Sequence, residues 1–340
     1  MIQEAIKTLV HLQDLTPAQM QEAMHEIMNG RVQTNEIVAF LQALSEKGES
    51  VEELTAAATV MREYAVKISS DSEVLLDTCG TGGDVKGTFN ISTAVAFVAS
   101  ACGAKVAKHG NRLVSSACGS ADILEALGIN IQMSASTISR CLDEIGIAFL
   151  FAQNMHPSMK YAMPARKQIG KRTIFNLLGP LTNPAGAKHQ LIGVFDLRWE
   201  EPLAQVLVNL GSTHVMVVHG EDGLDEVTTT GKTYVCEVYK GALNSYTIAP
   251  GEFKIKQATL KDLAGGSIAD NANILMDVLC GKPGPARDIV ILNAAMAVYV
   301  ADLAWSMQDG IVMSTKAIDS GEALEKLTLL RERSNDEQKT

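Results

Sequence analysis

From residue 74 onward the chain alternates short apolar runs with helix-length segments, a grammar that few architectures accommodate. Strands are predicted at 74–76, 104–107, 148–151, 190–195 and 214–218, with helical patterns between most of them. Strands separated by helices need crossover connections, which gives a central, mostly parallel sheet flanked by helices. A strand pair is expected at 233–239 and 245–248. Helices follow at about 271–279, 286–304 and 315–332, and the tail 331–340 is expected to fray. Residues 1–70 contain no strand candidate. Thr16-Pro17-Ala18-Gln19 and Ser50-Val51-Glu52-Glu53 read as capping boxes, and Ile37, Val38, Leu41 and Leu44 fall at helical spacing. The expected fold class is α/β: a small all-α domain at 1–70 plus a larger α/β domain. A helical segment at about 158–185 is expected to return to the small domain, ending where Gly179-Pro180 and Asn183-Pro184 break the chain. The α/β domain then comprises 71–157 and 186–335.

The first strand runs into Asp77-Thr78-Cys79-Gly80-Thr81-Gly82-Gly83-Asp84, and a helix is expected to start near Ser92 and Thr93. Glycines let backbone N–H groups approach an anion, and the next helix offers unpaired N–H groups and its positive dipole end. The loop is neither a GxxxxGK[ST] phosphate loop nor a GxGxxG dinucleotide fingerprint. Asp84 stands where a phosphate loop would carry lysine, which suits a bound divalent cation or a ribose hydroxyl beside the phosphate. A second polar loop is expected from Lys108, His109, Gly110, Asn111 and Arg112 through Ser115 and Ser116. Together the two loops suit a ligand phosphorylated at two places.

Net charge is −10, which argues against a general nucleic-acid or membrane-surface binder. The six cysteines have no CxxC pairing and read as reduced thiols in a cytoplasmic protein. Neither a signal-peptide pattern nor a bilayer-length apolar run is found.

Asp225 and Glu226 follow the apolar run 215–218, at the carboxyl end of a strand where open α/β sheets place ligands. They read either as Mg²⁺ ligands or as a solvated acidic turn. Arg166 shares a helix with Met163 and Ile169, and is either a surface charge with a packed stem or a clamp for a substrate carboxylate. His109 is an acid or base, or a hydrogen-bonding loop residue that shapes the backbone and touches phosphate. No nucleophile triad is identifiable, so the chemistry expected is positioning and charge stabilisation, with no catalytic residue that bonds covalently.

Taken together, residues 77–84, Thr88-Phe89-Asn90-Ile91-Ser92-Thr93, 106–112, Gly119-Ser120-Ala121-Asp122, the run 172–184 and Gly223-Leu224-Asp225-Glu226 resemble the anthranilate phosphoribosyltransferase family. The resemblance covers essentially the whole chain. It implies transfer of phosphoribose from phosphoribosyl pyrophosphate to the amine of anthranilate, in tryptophan synthesis, with Mg²⁺ as cofactor and a homodimer formed through the helical domain. It implies donor contacts from Gly80, Gly82, Gly83, Asp84, Thr88, Asn90, Ile91, Ser92 and Thr93. Further donor contacts are implied for Lys108, His109, Gly110, Asn111, Arg112, Leu113, Val114, Ser115 and Ser116, with Ser120 close by. Mg²⁺ would fall to Ser92, Asp225 and Glu226, and anthranilate to Gly80, Asn111 and Arg166. Pyrophosphate is expected at Asn90, Ile91, Ser92 and Thr93. The same architecture resembles pyrimidine nucleoside phosphorylases, and a non-catalytic relative binding nucleic acid is a further alternative. The acidic net charge and the complete donor motif oppose the latter.

Overall fold

The computed structural model describes residues 1–112 and 118–336. Four helices open the chain: α1 (Ile2–Val10), α2 (Pro17–Met28), α3 (Thr34–Lys47) and α4 (Val51–Tyr64). The capping boxes at Thr16/Gln19 and Ser50/Glu53 both form, each satisfying backbone donors that a helix start leaves unpaired. Glu53 does more than cap. Its side chain is fully buried, accepts from Leu15 N (2.9 Å) and Ser50 N (2.8 Å), and pairs with Nζ of the buried Lys47 side chain at 2.8 Å. Lys47 Nζ keeps Asp14 Oδ1 at 2.5 Å, so Glu53→Ala leaves mainly the Leu15 and Ser50 N–H groups without their acceptor and is expected to cost about 1–3 kcal/mol of stability. Urea unfolding checks this; a loss under about 1 kcal/mol would place the pair among surface ion pairs instead.

Seven strands make one sheet in the order β3-β2-β1-β4-β5-β6-β7. They are β1 (Leu76–Asp77), β2 (Val106–Gly110), β3 (Ile147–Phe151), β4 (His189–Gly193), β5 (His214–Gly220), β6 (Thr233–Tyr239) and β7 (Ala242–Ile248). β1 to β5 pair in parallel, and β6 and β7 continue the sheet antiparallel. The helices between and after them are α5 (Ile91–Ala101), α6 (Ser120–Ala126), α7 (Ala135–Glu144), α8 (Ala152–Met155), α9 (Met163–Ile169), α10 (Ile174–Leu181) and α11 (Glu200–Asn209). They continue with α12 (Ile268–Leu279), α13 (Pro285–Val300), α14 (Met307–Asp319) and α15 (Glu322–Ser334). The mostly parallel sheet flanked by helices, with a helical N-terminal part, is the architecture expected from the sequence.

Both faces of the parallel strands are buried, as a parallel sheet requires. Val215 and Val217 of β5 join a core with α1 to α4, α9, α10 and α11, while Met216 and Val218 face a second core that includes α5, α7 and α12 to α15. α9 packs on α3, and α10 on α4 and α3. Chain order reverses at β1, with β2 on one side and β4 on the other, so a crevice opens at the carboxyl ends of β1 and β4.

Several local expectations give way. The first strand is Leu76–Asp77 rather than 74–76, and Val74 is exposed. Lys108, His109 and Gly110 belong to β2, not to a loop: they pair with Phe149, Leu150 and Phe151 of β3. Polar residues survive inside this strand because Lys108 Nζ reaches Thr78 O (3.0 Å) and Ser92 Oγ (3.2 Å). Gly179 and Pro180 lie in the last turn of α10, where the chain ends its helix at Leu181 rather than breaking at the Gly-Pro pair. The helix expected at 315–332 is two, α14 and α15, separated by Gly321 in the left-handed region (φ 83°). The segment expected to fray holds on through Ser334, whose Oγ accepts from Asn130 N at 3.1 Å.

Candidate active site

A cavity of about 830 Å³ opens at this crevice. Its walls bring together Gly80, Gly82, Gly83, Asp84, Thr88, Asn90, Ile91, Ser92, Lys108, His109, Gly110, Asn111, Arg112, Ser120, Arg166, Asp225 and Glu226. Thr93 is not among them; one helical step beyond Ser92 it turns into the core and is buried. Leu113, Val114, Ser115 and Ser116 lie outside the described residues.

The glycine loop is held by its own amides. Thr81 N donates to Gly193 O at the end of β4 (2.8 Å), and Gly82 N donates to Asp225 Oδ2 (2.8 Å). Those two N–H groups therefore place the loop rather than face an anion. Gly193 permits this close approach, since a Cβ there would lie 1.5 Å from the Asp225 carbonyl oxygen. At Gly80 a Cβ would meet Asp225 Oδ2 at 3.0 Å and Gly193 O at 3.1 Å, so the bare backbone is needed where the loop passes the acidic residues.

Asp225 and Glu226 form a half-buried acidic pair on the cavity wall, with Asp84 nearby. Burial, and then the charge of Asp84, push the Asp225 carboxyl up to about 7. Burial, and then Asp225, push Glu226 well above the usual carboxylate range, against Lys108 and the Ser92 backbone N–H, which favour its charged form. Asp84 is raised by burial. A cluster whose protons cannot easily leave is short of positive charge. The donors are oxygens: two half-buried carboxylates with the Ser92 hydroxyl beside Lys108. That set fits a hard cation such as Mg²⁺ better than zinc or copper.

His109 is buried and uncharged. Burial, and then His156, whose ring centroid lies 5.1 Å away, push its imidazole down to about 3. Its Nδ1 donates to Gly179 O (3.1 Å), leaving Nε2 as an acceptor with no partner among the described residues. In this environment His109 offers a neutral imidazole to the cavity. Arg112 is committed as well, pairing with Asp122 Oδ1 (2.6 Å) and with Glu125 on α6, so the second fixed cation expected at this wall is already neutralised. Arg166 has no acidic partner among the described residues. It stacks over Phe175 at 5.5 Å, and burial lowers its pKa. An uncompensated guanidinium on a cavity wall suits a planar carboxylate.

Some wall residues are not among those expected at the site from the sequence. His156, Met159 and Phe175 enter from the connection through α8 to α10, and Gly266 and Asn271 from the start of α12. Asn271 Oδ1 accepts from Gly266 N (3.1 Å), shaping the rim. Nothing in residue order marks His156, because its role depends on His109 beside it.

Comparison with known proteins accounts for nearly the whole chain. Residues 72–324 match the glycosyl transferase family α/β domain, and residues 3–65 match that family's helical bundle domain. An anthranilate phosphoribosyltransferase of Clostridium kluyveri is 51% identical over 326 residues, covering 96% of this chain and 97% of its own. The chain belongs to the anthranilate phosphoribosyltransferase family. The family member of Thermus thermophilus superposes with a TM-score of 0.93 at 40% identity, covering 97% of this chain and 99% of its own. The Saccharomyces cerevisiae anthranilate phosphoribosyltransferase in complex with PRPP and Mg gives 0.91 at 27% identity, covering 98% of each chain. Anthranilate phosphoribosyltransferases are transferases, and the helical and α/β parts of this chain correspond to the two matched family domains.

Proposed function

We propose that the chain transfers the phosphoribosyl group of phosphoribosyl pyrophosphate to the amine of anthranilate, releasing pyrophosphate, in tryptophan synthesis. The observation that carries this reading is one cavity with opposite needs at its two sides. The half-buried Asp225–Glu226 pair asks for a cation beside the glycine loop, and Arg166 asks for a carboxylate. Asp225, Glu226 and Ser92 would hold Mg²⁺, which would supply charge to the pyrophosphate leaving group. Gly80, Gly82, Gly83, Asp84 and Thr88 line the donor side. Asn90, Ile91 and Ser92 bring the start of α5 to the phosphates, where the helix dipole favours an anion. Lys108 adds a buried cation from β2.

On the acceptor side Arg166 orients the carboxylate, and Asn111 and Gly80 line the same cavity. The lone pair on His109 Nε2 offers an acceptor to an amine N–H. An aryl amine is a weak nucleophile, so bond breaking to pyrophosphate runs ahead of bond making and the ribose passes through an oxocarbenium-like state. The side chains here align amine and sugar carbon and exclude water. No residue is assigned as an obligatory general base.

Loss of anthranilate fluorescence with phosphoribosyl pyrophosphate, with and without Mg²⁺, tests the reading. Cleavage of a pyrimidine nucleoside by phosphate, with no transfer to anthranilate, would overturn it. Arg166→Ala is expected to raise the KM for anthranilate about 10- to 150-fold while moving that for the donor little. Equal effects on both would remove the clamp.

The helical domain is read as 1–70 joined by 158–185, supported by the packing of α9 and α10 on α3 and α4. A homodimer through that domain is part of the same proposal, supported by exposed Val10 and Leu12 at its surface. A cytoplasmic setting is supported by six free cysteines. Among the described residues no helix is long and apolar enough to cross a membrane.

A further inference from the structure

Three consecutive residues of the glycine loop are pinned by three different elements. Thr81 is tied to the end of β4 through Gly193 O (2.8 Å) and Phe195 N (3.1 Å). Gly82 is tied to Asp225 (2.8 Å). The carbonyl of Gly83 accepts from Nη2 of Arg172. Only the last tie comes from outside the sheet and its loops. Arg172 lies between α9, which carries Arg166, and α10, whose Ile174 and Phe175 pack with the N-terminal helices. Its guanidinium also sits over the Phe195 ring, 3.9 Å from the centroid. The space is tailored to it: a Cβ at Gly83 would lie 3.3 Å from Nη2, and Gly83 has φ +82°.

We propose that Arg172 is a positioning residue that couples the acceptor side of the cavity to the donor side. The inference rests on the transferase reading above. When a carboxylate engages Arg166, the α9–α10 connection is fixed, Arg172 is fixed with it, and Gly83 and Asp84 are held where the donor needs them. Donor binding then costs less loop ordering, and linkage makes the effect reciprocal. A lysine would keep the charge but lose both the planar stack and the directed fork.

The test is calorimetric titration of the full-length Mg²⁺-loaded enzyme with phosphoribosyl pyrophosphate, with and without benzoate, an acceptor analogue that lacks the amine. In the wild type benzoate is expected to tighten donor binding about fivefold or more. In Arg172→Ala and in Arg172→Lys the two donor Kd values should converge, while benzoate alone binds as in the wild type. The lysine variant serves if the alanine variant folds poorly. Absence of coupling in the wild type, or coupling retained in both variants, would overturn the proposal. A wild type that does not consume anthranilate would instead overturn the functional reading on which it rests.

Discussion

Gly193→Ala is expected to abolish most transfer while leaving a folded protein. A methyl carbon at this position would lie 1.5 Å from the backbone oxygen of Asp225, and 2.2 Å from its carbonyl carbon. Neither atom belongs to a flexible side chain that could swing aside, so the end of β4 or the Asp225 segment must move. Asp225 also receives the Gly82 N–H, and Gly193 O receives that of Thr81, so the displacement reaches the glycine loop from both sides. Misplacing reacting groups by about an ångström costs on the order of 100-fold in rate. Overpacking costs about 1–3 kcal/mol of stability. Steady-state kinetics beside thermal unfolding separates the two. Activity within about threefold of the wild type would show that the segment relaxes freely, against the close packing of interiors.

The double variant Asp225→Asn, Glu226→Gln should fold as well as the wild type or better, yet need far more Mg²⁺. Both carboxylates are pushed up, Asp225 by loss of solvent and then Asp84, Glu226 by loss of solvent and then Asp225. Neutral amides of the same shape remove that mutual repulsion, so without metal the melting temperature should hold or rise. Each lost charge-assisted contact is worth about 1.5–3 kcal/mol, which places the shift in half-saturating Mg²⁺ at roughly 10-fold or more. An unchanged metal titration would sink the assignment. A strongly lowered melting temperature would mean that the pair is structural.

What the chain revealed before folding was local. The capping boxes at Thr16 and Ser50 satisfy donors within three residues, the glycine loop follows its strand directly, and Asp225 and Glu226 come soon after β5. Propensity, turn chemistry and strand-end placement operate over such distances, so they can be read from residue order.

Other features depended on neighbours far along the chain. Lys108, His109 and Gly110 look like a polar loop until β3 pairs with them and Thr78 and Ser92 satisfy the ammonium. Arg112 reads as an unpaired cation until α6 turns Asp122 and Glu125 towards it. His109 loses its charge to burial and to His156, brought beside it by the connection after β3. The amino-acid sequence by itself determined the alternating α/β architecture, the glycine loop after the first strand and the acidic pair at a strand end. The tertiary structure alone decided which charges remain available. Burial and ion pairing, which set that availability, arise between segments that meet only in the folded chain: Gly193 against Asp225, Arg172 against Gly83, and Arg166 left without a counter-charge among the described residues.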